Sequence, residues 1–159
     1  DHINNAEISC FIQGTRSLLT EDVTEDAIKK MRINFSFLSQ GIKNRKNTIY
    51  SNFLSSLFLK KKKYLSGIKT CNMSFFKEDF INVNGFNNDF EGWGREDSEF
   101  IVRFFNNGIN RIYLRFNAIQ YHLWHPENNR KSLKYNDQLL KNTINKKIKV
   151  CKNGINEYL

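Results

Sequence analysis

Six residues, Gly92-Trp93-Gly94-Arg95-Glu96-Asp97, constrain this chain more than any others. Two glycines loosen the backbone on either side of a large indole, and two adjacent carboxylates follow at once. The preceding run, Asn87-Asn88-Asp89-Phe90-Glu91, has turn composition. The following run reads as a helix. Phe100, Phe104 and Phe105 give it an apolar face, and Asn107-Gly108 supplies a stop signal. Carboxylates in a first helical turn are favoured by the macrodipole, and they stand at the end of a rigid element, where a substrate can approach. The pair therefore has two readings: a helix cap beside a core tryptophan, or a proton acceptor beside a flat apolar surface.

With 159 residues, 40% of them hydrophobic and 14% aromatic, the chain reads as one domain, residues 1–159, with a basic helix and tail over 132–159. No apolar run approaches the roughly 18 residues of a bilayer span, and no signal-peptide pattern opens the chain. It begins Asp1-His2, as a piece of a longer protein would. Cys10, Cys71 and Cys151 have neither disulfide-framework nor zinc spacing and read as reduced thiols. The net charge of +9 draws anions: nucleic acid, anionic lipid headgroups or nucleotide phosphates. Much of it sits in the lysines at 60–63 and in the tail at 141–152.

Hydrophobic patterning predicts a strand over 7–13 running into Gly14, and a helix over 20–31 with acids early and lysines late. The pattern over 34–47 is weak. An amphipathic helix over 49–64 is followed by a strand over 71–76 and a short helix from Lys77 to about Asn84-Gly85. The helix from Glu96 leads to strands over 112–114 and 118–123, and Pro126 bounds the second. A basic helix is predicted over 132–151. The order is that of an α/β protein, without the glycine-rich phosphate loop of a dinucleotide or P-loop fold.

Three constellations could carry chemistry. A sugar hydroxyl is a poor nucleophile until a carboxylate such as Glu96 or Asp97 accepts its proton, and Trp93 offers a face for a sugar ring. His122 and His125, in Tyr-His-Leu-Trp-His-Pro, are possible nitrogen ligands for Mn²⁺ or Zn²⁺. Three apart in a strand they would face opposite sides, unless the strand ends between them. In Lys69-Thr70-Cys71-Asn72-Met73-Ser74, Asn72 and Ser74 would share a face.

Together these pieces resemble the C-terminal, acceptor-side half of a family 2 glycosyltransferase. The resemblance runs through Cys71-Asn72-Met73-Ser74-Phe75-Phe76-Lys77-Glu78-Asp79-Phe80, Val83-Asn84-Gly85-Phe86, the Gly92 to Asp97 motif and Tyr121-His122-Leu123-Trp124-His125. The Gly-Trp-Gly-x-Glu-Asp element is also similar to the acceptor motif of β-1,4-galactosyltransferases and chondroitin polymerase-type enzymes. The resemblance implies a partial GT-A fold lacking its N-terminal nucleotide-binding half. It implies a hexosyltransferase reaction, inverting and metal-dependent, from a nucleotide-sugar donor such as a UDP-sugar to a glycan or glycolipid acceptor in bacterial surface polysaccharide synthesis. Asp97 would be the general base and Glu96 a ligand of the acceptor sugar. Trp93, Gly94, Arg95 and Asn72 would bind substrate. His122, or alternatively His125, would bind Mn²⁺ or Mg²⁺.

Such enzymes hold that metal with an Asp-x-Asp motif, and none occurs in this chain; Asp97-Ser98-Glu99 comes nearest. The expectation is that this chain alone has little or no transferase activity. A cytoplasmic location is expected, with peripheral contact between the basic, aromatic segment 53–64 and the inner face of a bacterial membrane. The alternative reading is a non-catalytic basic module for nucleic acid or another anion, although no nucleic-acid motif accompanies the charge. A third reading is an enzyme relic kept as an assembly partner.

Overall fold

The computed structural model describes residues 1–158. Gly14 does not end a strand but bends one: β1 (Cys10–Gln13) and β2 (Thr15–Leu19) lie on either side of it. Two later strands, β6 (Asn110–Tyr113) and β7 (Ile119–His122), run parallel beside them, with Cys10 opposite Asn110 and Thr15 opposite Ile119. Short antiparallel edges complete two small mixed sheets. β3 (Ile42–Lys43) gives the order β3-β2-β7, and β4 (Lys61–Lys62) with β5 (Met73–Ser74) gives β4-β6-β1-β5. All four residues of β1 are buried, as expected of a strand flanked on both sides and covered on both faces.

Asn72 is the joint between the sheets. The Gly14 amide donates to the Asn72 carbonyl at 2.9 Å, and Asn72 Nδ2 donates to the carbonyls of Thr15 and Ala118, each at 2.7 Å. A Cβ on Gly14 would overlap the Asn72 amide and the Ala118 carbonyl, so the bend admits only glycine. The strand predicted over 71–76 accordingly shrinks to two residues. A 3-10 turn (Thr70–Asn72) precedes it, because Asn72 is drawn into the bend. As predicted, Asn72 and Ser74 share a face: His2 reaches Ser74 Oγ at 2.7 Å and Asn72 Oδ1 at 3.0 Å.

The helices are α1 (Glu21–Lys29), α2 (Asn52–Phe58), α3 (Lys77–Asn82), α4 (Glu96–Asn106) and α5 (Leu133–Asn145). Two are shorter than the sequence predicts. α2 starts where Ser51 Oγ accepts the Leu54 N–H at 3.2 Å, and it stops before the lysines because Lys61 and Lys62 pair with β6. α5 stops at Asn145 because the chain turns back over the end of α4. There Asn106 and Asn107 side chains donate to the Ile148 and Lys149 carbonyls at 2.7 and 2.9 Å. Among the described residues no helix is long and apolar enough to cross a membrane.

The main core joins β1 to α3 and α4 through Phe11, Val83, Phe100, Ile101 and Phe104. Phe86 stacks on Phe100 at 4.5 Å and Phe75 on Phe80 at 5.4 Å. Inside it lies an ion pair. Glu99 and Arg103 are 1% and 0% exposed, and Arg103 Nε donates to both Glu99 oxygens at 3.0 and 3.1 Å. Arg103 Nη1 donates to the Val83 carbonyl at 2.5 Å, and Thr143 on α5 donates to Glu99 Oε1 at 3.1 Å. Removing one member of a buried pair leaves an uncompensated charge. Arg103→Met should therefore cost about 3–5 kcal/mol in chemical denaturation, and the double variant Glu99→Leu/Arg103→Met should regain most of it.

Candidate active site

Three of the four residues from Gly92 to Arg95 have positive φ: Gly92 at 64°, Gly94 at 106° and Arg95 at 79°. Glycine accepts that region freely and arginine does not, so something must hold Arg95 there. Its Nε donates to Asp137 of α5 at 2.6 Å. The neighbouring Asn136, fully buried, donates through Nδ2 to the carbonyls of Glu91 at 3.0 Å and Gly94 at 2.9 Å. Two consecutive α5 residues thus fix the loop, and the loop turns Trp93 outward, 41% exposed. The guanidinium of Arg130 covers the indole at 4.7 Å.

Glu96 and Asp97 then open α4 and line a cavity of about 480 Å³ with Trp93, Arg16, Lys69 and Thr70. Asp97 is oriented from both oxygens: Oδ2 accepts the Thr70 N–H at 3.1 Å and Oδ1 accepts its hydroxyl at 2.5 Å. A carboxylate has about four acceptor positions, so lone pairs remain for a ligand. Glu96 differs. Its Oε2 is buried and has no hydrogen-bond partner, an arrangement that is costly unless something fills it. Arg16 Nε, on the same cavity, is also buried without a partner. Burial, reinforced by Arg16, pulls the Lys69 ammonium below the usual lysine range.

Trp93, Gly94, Arg95, Glu96 and Asp97 all meet at this cavity, although Arg95 is committed to Asp137. Asn72 is not among its walls; its amide serves the bend at Gly14. His122 and His125 also lie outside the lining. β7 ends at His122, so the two rings turn toward each other and their Nε2 atoms stand 3.2 Å apart. The Pro126 carbonyl, 2.9 Å from His125 Nδ1, can only accept, so His125 Nδ1 carries a proton and His122 Nε2 donates across the pair. Burial, then Arg16, His125 and Lys69, hold His122 below the usual histidine range.

The His–His spacing is what two imidazoles on one cation would have, given metal–nitrogen bonds of about 2.0–2.1 Å. Among the described residues, however, no cluster of three or more His, Cys, Asp or Glu could hold a metal. Glu99, nearest to an Asp-x-Asp position, is consumed by Arg103. Among the described residues, then, no third group of this kind joins the paired imidazoles. Arg16, Asn136 and Asp137 escape sequence reasoning, and Lys69 and Thr70 enter it only as members of the run around Asn72, without a role. Only the Tyr135-Asn136-Asp137 polar run within an otherwise amphipathic helix hints at Asn136 and Asp137.

Residues 53–126 match the family model described as the N-terminal domain of galactosyltransferase. No curated protein and no solved structure gives a significant match. The family match supports a galactosyltransferase-like glycosyltransferase domain. It specifies neither a subfamily nor a position within a longer enzyme. It spans the helix, loop and strand that carry Thr70, Trp93, Glu96, Asp97 and His122, and it stops before α5.

Because Asn136 alone donates to two loop carbonyls, Asn136→Ala should destabilise the fold by about 1–3 kcal/mol. It should also release the loop, read as a red shift and greater quencher access in the Trp93 emission of a Trp124→Phe background.

Proposed function

We propose that the cavity of Trp93, Glu96 and Asp97 is the acceptor-sugar site of an inverting glycosyltransferase of the GT-A, family 2 type, acting from a nucleotide-sugar donor. The observation that carries this reading is the buried, unpartnered Glu96 Oε2 beside an Asp97 carboxylate held in place by Thr70. One acceptor hydroxyl donates its hydrogen bond to Glu96, and a second faces Asp97.

As the second oxygen attacks the anomeric carbon, its proton passes to Asp97 and the bond from that carbon to the diphosphate breaks with inversion. Asp97 suits the proton because general bases act within hydrogen-bond reach. Thr70 is a positioning residue: its amide and its hydroxyl hold the two oxygens of Asp97. Arg16 and Lys69 give the same cavity two cations that would receive the charge of the departing diphosphate. His122, or alternatively His125, would supply a nitrogen ligand to a Mn²⁺ or Mg²⁺ ion, which when bound would neutralise a diphosphate leaving group; the described residues gather no further ligands beside them.

The test is sugar transfer by the protein, followed as nucleoside diphosphate release over a panel of donors and saccharide acceptors. Asp97→Asn should lower kcat by about a hundredfold or more while melting temperature and donor binding are kept. Glu96→Gln should act mainly on acceptor KM, raising it roughly tenfold or more, as loss of a hydrogen bond to a charged group does. Full transfer by Asp97→Asn would refute the assignment.

A further inference from the structure

Helix α2 is built inside out. Phe53 and Leu57, one turn apart on the same side, are 72% and 60% exposed, whereas Ser55 is only 4% exposed. A helix packed for water would reverse that arrangement. Tyr50 before it and Leu59 after it are exposed as well. The chain continues at once into Lys60-Lys61-Lys62-Lys63. Lys61 is paired with Glu7, and Lys63 donates to the Phe105 carbonyl at 2.9 Å. Lys60 and Lys62 point with Phe58 and Arg115 into an open groove of about 720 Å³ that no carboxylate lines. Arg115 also lines the neighbouring depression of Phe37, Arg45 and Lys46, so the two basic depressions adjoin, and Phe58 of α2 lines the first of them.

The charge of the whole molecule is sorted to match. Residues 27–77 contain 12 lysines and arginines and no aspartate or glutamate, while the rest of the chain carries 13 cations against 16 acids. The +9 surplus is therefore a property of this one segment. We infer that α2 and the lysines after it form a docking face for an anionic lipid bilayer, with Phe53 and Leu57 entering the headgroup region and Lys60, Lys62, Arg45 and Lys46 above them. An in-plane amphipathic element binds by apolar burial together with attraction to anionic lipid. A soluble polyanion would use the cations and has no use for the outward Phe53 and Leu57, so the bilayer is the occupant that accounts for both halves of the surface.

Co-sedimentation of the full chain with vesicles tests this without any sugar transfer, so it succeeds or fails independently of the transferase reading. The chain should sediment with phosphatidylcholine vesicles containing phosphatidylglycerol and not with phosphatidylcholine alone. Lys60→Gln/Lys62→Gln should weaken partition about thirtyfold, the effect of two cations at an anionic surface. Phe53→Ser/Leu57→Ser should weaken it at least about tenfold through lost apolar burial. All four side chains are exposed, so unchanged melting curves would accompany both losses. Failure to bind either vesicle, or binding indifferent to both double variants, would overturn the inference. Tight binding of heparin without vesicle binding would overturn it too, and would assign the face to a soluble polyanion.

Discussion

Three helices take their positions from one buried ion pair. Glu99 and Arg103 sit one turn apart on α4. Arg103 reaches the carbonyl at the end of α3, and Glu99 receives the hydroxyl of Thr143 on α5. Apolar packing among the phenylalanines could be satisfied by several rotations of these helices, because contact between hydrophobic surfaces is not directional. Charged hydrogen bonds are directional and are costly to leave unmade. The pair therefore fixes how α4 turns, and α4 carries Glu96 and Asp97 in its first turn. It also fixes where α5 lies, and α5 carries the Asn136 and Asp137 that hold the loop of Trp93. The core and the candidate site are linked by a few polar contacts in a setting that is otherwise aromatic.

The reading of Glu96 and Asp97 as a helix cap beside a core tryptophan does not describe what the fold does with them: Trp93 is turned outward and no side chain caps α4. Both residues belong to the first turn of a helix, as the macrodipole favours, and neither has its side chain used up as a cap. The positive φ of Arg95 places the helix start at an abrupt corner. Thr70, from the segment that leads into β5, meets Asp97 there, while Glu96 is left with a buried oxygen that nothing in the protein satisfies. Local strain of this kind persists only where surrounding contacts over-determine it, and Asn136 with Asp137 supplies them.

Much of the fold was legible in the chain because its signals are local. The helix of Glu96 follows from turn residues, acids and a phenylalanine face, and β6 and β7 follow from short apolar runs between Gly108 and Pro126. What was not legible depends on partners far away in sequence. β2 was missed because Gly14 reads as a terminator, and only the amide of Asn72 and the carbonyl of Ala118 turn it into a bend. The helix predicted over 49–64 ended early because β6 recruits its lysines. The Gly92 to Asp97 motif pointed to Trp93, Glu96 and Asp97, and the fold brings these three to one cavity. Arg16 has no pattern of its own, Thr70 and Lys69 stood in the run around Asn72 without a role, and the amide of Asn72, expected to bind substrate, is committed to the bend at Gly14. The histidines lay three apart in a strand that ends between them, so they face each other.

In the proposed complex one saccharide hydroxyl meets Glu96, a second faces Asp97, and the sugar ring lies against Trp93. The chain has two tryptophans, Trp93 and Trp124, so their indole N–H signals in a proton–nitrogen correlation spectrum separate the two places directly. Titration with a panel of acceptor saccharides should move the Trp93 indole and the backbone amides of Thr70, Glu96 and Asp97, leave Trp124 and the lysines of β4 in place, and lose the response in Glu96→Gln. A saccharide that binds while shifting only the basic groove of Lys60 and Lys62, or that leaves Trp93 unmoved, would contradict the account.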